Sequence, residues 1–138
     1  MRVLIDTNIM LDYILERDPY TVYSNKIFEL CISDKLECVV AAHSITNAYF
    51  ILRKFMTSEE RRTALLDICE IVSVAGVDES KIIGALSRNE FSDFEDCVQD
   101  ECAAACGADF IITRNEKDFA ESKVKAISAE DFLKIYGK

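Results

Sequence analysis

The chain predicts an α/β fold, a central parallel sheet of about four or five strands covered by helices, and three observations carry that reading. Short apolar runs alternate with longer segments of 3.6-residue periodicity, the pattern of a parallel sheet with helices on both faces. The first run, Val3-Leu4-Ile5, ends on Asp6 and leads at once into Thr7-Asn8. An acid therefore stands at a strand's carboxyl end, where open α/β sheets bind their ligands. With 138 residues, half of them apolar, the chain is long enough for one well-buried core and short for two, so residues 1–138 read as one domain.

In chain order, Arg2 to Ile5 is the first strand and the periodic segment Asn8 to Glu16 the first helix. Pro19 separates that helix from a second, Tyr20 to Ser33, and Glu37 to Ala41 is the second strand. Helices over Ser44 to Phe55 and Ser58 to Glu70 follow, the latter begun by Ser58 with Glu60 and Arg61 in its first turns. A third strand, Ile71 to Val74, precedes a fifth helix, Glu79 to Ser87. Ser92-Asp93-Phe94-Glu95 reads as a capping box, Ser92 the N-cap, for a sixth helix over Phe94 to Cys106, and Gly107 sits where a C-cap ends it. Strands at Asp109 to Ile112 and Val124 to Ala126 and a helix at Ala129 to Ile135 complete the pattern. No repeat or low-complexity linker interrupts it.

The 25 acidic residues against 16 basic give a net charge of -9, which argues against a protein coated by nucleic acid over its whole surface. An RNA substrate stays compatible, because Arg53-Lys54 and Arg61-Arg62 offer local phosphate contacts and an acid-lined metal site accounts for much of the charge. An acidic protein also suits a basic protein partner. The six cysteines fall within apolar helix-like or strand-like runs, and Met1-Arg2 leads straight into a strand without a secretory signal. Reduced thiols in a cytoplasmic protein are the expectation. Zinc has only Cys102 with Cys106 near ligand spacing, four residues apart on one helix, where small buried side chains explain them equally. No apolar run is long enough to span a membrane.

Asp6, with Thr7 and Asn8, reads either as an N-cap for the following helix or as a site acid. Asp12, one turn on, reads as a solvated acid. Asp93 and Glu95 are favoured by the helix dipole whatever their function. Asp96 and Asp100, at i and i+4, repel each other unless a cation lies between them or both face solvent. Thr113-Arg114-Asn115-Glu116-Lys117-Asp118-Phe119 begins where the apolar Phe110-Ile111-Ile112 ends. It is either a polar turn capped by Asn115 and plugged by Phe119, or a source of the oxygen donors Asn115 and Asp118, and spacing does not choose. Carboxylates and amide oxygens gathered from separate segments suggest a hard-cation site of the Mg²⁺ or Mn²⁺ kind.

Together and in this order, these segments resemble the PIN-domain family of metal-dependent nucleases, which includes VapC-type toxins. The matching residues are Val3-Leu4-Ile5-Asp6-Thr7-Asn8-Ile9-Met10-Leu11-Asp12, Ser44-Ile45-Thr46-Asn47, Asp93-Phe94-Glu95-Asp96, and Gly107-Ala108-Asp109-Phe110-Ile111-Ile112-Thr113-Arg114-Asn115 with Asp118-Phe119. The resemblance implies a three-layer α/β/α sandwich and Mg²⁺- or Mn²⁺-dependent cleavage of RNA phosphodiesters. It carries Asp6 onto the family's first acid, Asp96 onto the acid that opens the late helix, and Asn115 and Asp118 onto polar positions where the family varies between Asp and Asn. Asp6, Asp96 and Asp118 are then expected as metal ligands, with Asn115 completing the catalytic set. Thr7, Asn8, Asn47, Asp93, Asp100, Thr113 and Arg114 are expected to support them or to bind substrate. Many PIN nucleases carry a Glu in the third helix where this chain has Asn47, and a neutral amide oxygen there implies weaker metal binding or activity.

The mechanism so implied is hydrolysis of single-stranded RNA by a metal-activated water, with no side-chain nucleophile. The single histidine, His43, reads as structural, and Arg114 is placed to meet a phosphate. Two other readings compete: a catalytically weak PIN module that binds RNA or a protein, and a response-regulator-like phosphoacceptor. The latter lacks an early acidic pair and a downstream strand-end lysine. Tyr13, Tyr20, Tyr23, Tyr49, Phe50 and Phe55 supply aromatic surface on the first three helices for a homodimer. The family resemblance supports dimerisation and implies an antitoxin partner if the chain is a toxin.

Overall fold

The computed structural model of the chain describes residues 1–136. Five strands, β1 (Arg2–Ile5), β2 (Glu37–Ala41), β3 (Ser73–Ala75), β4 (Phe110–Ile112) and β5 (Ala126–Ile127), form one sheet in the order β3-β2-β1-β4-β5. All neighbours are parallel. Parallel neighbours need long crossovers, and three of these are built from α1 (Thr7–Leu15) with α2 (Thr21–Ile32), α3 (Ala42–Ile51) with α4 (Ser58–Ile71), and α5 (Glu79–Leu86) with α6 (Phe94–Ala105), while α7 (Ala129–Tyr136) follows β5. Tight 3-10 turns occupy Leu52–Lys54 and Glu116–Phe119.

The strand period of two assigns the layers. Val3, Ile5, Val40 and Ile112 point to one face, where they meet Ile9 and Met10 of α1, Phe28 of α2, Ile68 of α4 and Phe132 of α7. Leu4, Ala41 and Ile111 point to the other, against Ala85 of α5, Cys97, Val98 and Cys102 of α6, and Phe119. This is the expected three-layer α/β/α arrangement. Among the described residues no helix is long and apolar enough to cross a membrane.

The strand order places the site. From β1 the chain steps to β2 and β3 on one side, then returns to β4 and β5 on the other. The direction of winding therefore reverses between β1 and β4, and crevices beyond the carboxyl ends of strands open at such a reversal. Asp6 sits there, its backbone N–H donating to the carbonyl of Ile112 at 3.0 Å.

Several boundaries differ from the sequence expectation. Strand β3 begins at Ser73, because α4 continues through Ile71. Strand β5 starts at Ala126, two residues late, since the Val124 N–H is taken by a side chain, Asp100 Oδ1, at 3.1 Å. The third helix starts at Ala42 and ends in the turn at Leu52–Lys54. The N-cap of α6 is Asp93, whose carboxylate accepts the Asp96 N–H at 3.0 Å, so Ser92 is outside the cap. A reciprocal capping box forms instead at α4, between Thr57 and Glu60.

Gly107 has φ of 71° just past the C-cap of α6, the left-handed conformation that ends many helices. A Cβ there meets nothing closer than Arg2 Nη1 at 4.0 Å, so the constraint is the backbone and not space. Gly107→Ala is expected to lower unfolding free energy by about 1 kcal/mol, measured by urea denaturation. A variant as stable as the parent would remove the conformational argument.

The expectation of six thiols fails at one pair. Cys31, at the end of α2, and Cys38, at the start of β2, are joined by a disulfide with Cα atoms 6.1 Å apart. The short return from helix to strand puts both side chains on the same core, a proximity hidden by their different elements. Cys69, Cys97, Cys102 and Cys106 are free, with Cys97 and Cys102 buried among apolar neighbours of α6.

Candidate active site

Asp6 is the N-cap of α1 and also lines a cavity. Its Oδ1 caps α1 by accepting the Thr7 N–H at 2.7 Å and also accepts Gln99 Nε2 of α6 at 2.8 Å. Its Oδ2 accepts the hydroxyl of Thr113, just past β4, at 2.7 Å. Three elements thus orient a carboxylate that is only 5% exposed. A carboxylate offers about four acceptor positions, so these bonds leave room for a ligand. Thr113 Oγ1 accepts in turn from the Asn115 N–H at 3.0 Å, which fixes the turn after β4.

A cavity of about 290 Å³ opens beside Asp6, between the N-terminus of α1, helix α3 and the first turns of α6. Asp96, Glu95, Asn47, Asn115, Thr7 and Asn8 line it with Asp6. Asn47 Nδ2 donates to Glu95 Oε2 at 3.1 Å, a bridge from α3 to α6 across the cavity. The Asp96 carboxyl is pushed up to about 7 by burial and then by the negative charges of Asp6, Asp93, Asp118 and Glu95. Such elevation marks a half-buried place where negative charge has collected.

The expected residues divide accordingly. Asp6 and Asp96 share the cavity, and Asn115 joins them from the turn after β4. Asp93 stays at the N-cap of α6. Asp118 is exposed on the following 3-10 turn, close enough for its charge to act on Asp96 but outside the cavity lining. Among the described residues no three acidic, imidazole or thiolate side chains close on a common metal-binding point.

Three placements are corrected. Asp100, expected beside the site, is fully buried elsewhere, accepting from Arg88 Nη2 at 2.7 Å and from the N–H groups of Lys123 and Val124. Repulsion at i and i+4 is relieved by that arginine and those amides. Arg114, expected to meet a phosphate, has its Nε 3.2 Å from Asp12 Oδ2 and its guanidinium 4.0 Å from the Tyr20 ring centroid. It lines a separate apolar pocket with Tyr20 and Tyr23. Asp12 is not solvated but fully buried, held also by Arg17 at 2.8 Å, and burial raises its carboxyl above the usual range despite both arginines.

Sequence reading passed over Gln99, Glu95 and His43 as site residues. Gln99 lies at i+3 from Asp96, so helical spacing alone aligns the two. Glu95 suits the helix dipole in the first turn of α6, yet it also lines the cavity. His43 lines it too, with both ring nitrogens buried and unpartnered. Burial lowers the His43 pKa, opposed by Glu95 and Asp6. No local pattern around one histidine announces this, because the cavity wall is assembled from three helices.

The PIN-domain family model matches residues 2–117, and the chain belongs to that family. Comparison with curated proteins finds no match. Among solved structures, the fold is similar to VapBC2 from Rickettsia felis bound to a DNA fragment from its promoter, with a TM-score of 0.71 and 16% identity over 93% of this chain and 98% of that one. A toxin-antitoxin complex from Klebsiella pneumoniae gives 0.70 and 19% over 92% and 97%. VapC20 from Mycobacterium tuberculosis, a Sarcin-Ricin loop cleaving toxin, gives 0.63 and 14% over 79% and 86%. At these identities the likeness is one of fold.

Proposed function

We propose that the chain, read as one nuclease domain over residues 1–138, is a Mg²⁺- or Mn²⁺-dependent endoribonuclease of the cytoplasm and the toxin of a toxin-antitoxin pair. The observation that carries this reading is the Asp6–Asp96 cavity at the switch point of the sheet, with the Asp96 carboxyl raised to about 7 by burial and then by surrounding acids. The donors are hard oxygens, suited to Mg²⁺ or Mn²⁺. Asp6 and Asp96 are the residues that would hold the cation, with Asn115 as a neutral donor and Asp118 adding negative charge from the turn outside the cavity lining. When bound, the cation supplies charge neutralisation and acidifies water for attack on phosphorus.

The chain's own groups do the positioning. Gln99 and Thr113 fix the rotation of the Asp6 carboxylate, and Asp93 fixes the first turn of α6 on which Asp96 rides. The Asn47–Glu95 bridge ties α3 to α6 and places a carboxylate beside the neutral amide. With Glu95 present, the cavity keeps an acid on that side, which favours an active enzyme over a catalytically weak binding module. The test is cleavage of single-stranded RNA with and without Mn²⁺: cleavage that requires the ion and falls with Asp6→Asn is expected. Ion-independent cleavage that survives Asp6→Asn would remove the assignment.

A homodimer and an antitoxin partner belong to the same proposal. Tyr13 stacks on Phe28 with ring centroids 4.1 Å apart and is spent on the core, whereas Tyr20 and Phe55 are 40% and 62% exposed. Exposed aromatics of this size suit an interface. Light scattering over a wide concentration range is expected to give the mass of two chains, and a monomeric mass at the highest concentration would withdraw the dimer.

A further inference from the structure

One wall of the acid cavity bears surface that neither cation binding nor acid chemistry uses. Phe50 lies near the C-terminal end of α3 and lines the same cavity as Asp6 and Asp96, yet it is 61% exposed. The Arg53 guanidinium lies 3.7 Å from the Phe50 ring centroid, and its Nη1 donates to the Phe50 carbonyl at 2.8 Å. Local bonds therefore hold a flat, cationic layer at the rim. Among the described residues Arg53 forms no salt bridge, so its charge is not spent on a neighbouring acid.

We propose that Phe50 and Arg53 form a stacking platform for one nucleobase of a single-stranded RNA, adjacent to the phosphate that enters the acid cavity. This rests on the nuclease reading of that cavity. Without a bound cation, a pocket lined by carboxylates in a chain of net charge -9 repels a polyanion, so groups at its edge add affinity that the acids do not supply. Bases stack on aromatic rings and guanidinium planes irrespective of sequence, and an arginine adds attraction for the backbone. Phe50 follows Asn47 by three residues on α3, one helical turn along the same side, so a base on the ring adjoins the cavity. Bases inside a duplex already have their faces covered, which makes the platform selective for single strands.

The test combines binding and turnover of a short single-stranded RNA carrying one fluorescent 2-aminopurine. Binding is measured in Ca²⁺, turnover in Mn²⁺, for the full chain and its Phe50→Ala, Phe50→Trp and Arg53→Ala variants, with light scattering on each. The expectation is about tenfold or more weaker binding for Phe50→Ala, a KM effect larger than the kcat effect, and fluorescence quenching that Phe50→Trp retains. Equal binding by Phe50→Ala and the parent overturns the platform, as does weaker binding that appears only together with loss of a dimer. If the parent binds the strand through Phe50 but does not cut it, the platform stands and the nuclease reading falls. If Mn²⁺-dependent cutting is intact in Phe50→Ala with unchanged KM, the nuclease reading stands and the platform falls.

Discussion

Asp96→Asn is expected to lower ion-dependent RNA cleavage by about a hundredfold or more while making the metal-free protein more stable at neutral pH. The first effect follows from removing a proposed ligand, since changes even to groups behind metal ligands cost 10- to 100-fold. The second follows from the elevation of the Asp96 carboxyl from 3.8 to about 7 in the folded chain. Below about pH 4 the acid is protonated whether folded or not, and carries no electrostatic cost. As pH rises through 4 to 7, the unfolded chain releases its proton first, so the folded state loses stability across that window. Above about pH 7 both states are ionised and the loss is complete and constant. Asparagine has no such titration. The difference in melting temperature between variant and parent in EDTA should therefore grow between pH 4 and 7 and then level off. Because Asp96 is only half-buried, solvent screening keeps the effect below that of a fully buried charge. Excess Mn²⁺ should raise the parent's melting temperature more than the variant's. Parallel pH profiles for the two proteins would sink the electrostatic account.

The parts of this protein that were legible in sequence are those whose physics is local. Strands β1 and β2 fall on Arg2–Ile5 and Glu37–Ala41 as expected, because an unbroken apolar run of that length leaves little choice. Asp6 was legible for the same reason, a strand end being readable from the run that precedes it. Partners contributed by remote segments were not. Nothing around Asp12 announces Arg114, which arrives from the turn after β4. The i and i+4 pair on α6 invited a shared cation, yet Asp96 faces the cavity while Asp100 is met by Arg88. The β5 boundary moved because a side-chain carboxylate claimed the Val124 amide. Where side chains replace ladder bonds, hydrophobic periodicity carries no information.

Asp100→Ala is expected to cost about 3–5 kcal/mol of unfolding free energy, the range for breaking a buried ion pair by removing one partner. Asp100 is fully buried and accepts from Arg88 Nη2 at 2.7 Å, from the Lys123 N–H at 2.8 Å and from the Val124 N–H at 3.1 Å. Its loss leaves two amides without acceptors and an arginine whose side chain is only 12% exposed. Glu101, at 2.8 Å from Arg88, keeps that charge partly compensated, which argues against a larger cost. Asp100→Asn should be intermediate, because an amide keeps one acceptor and turns a donor toward groups that are themselves donors. The sign separates two roles for this residue. A metal ligand among repelling acids would raise metal-free stability and abolish activity when neutralised. A clamp joining the α5–α6 connection to the segment before β5 would lower stability and leave activity per folded molecule largely intact. Urea denaturation of both variants, with cleavage measured well below the unfolding transition, decides between them. A variant as stable as the parent but inactive would return Asp100 to the site.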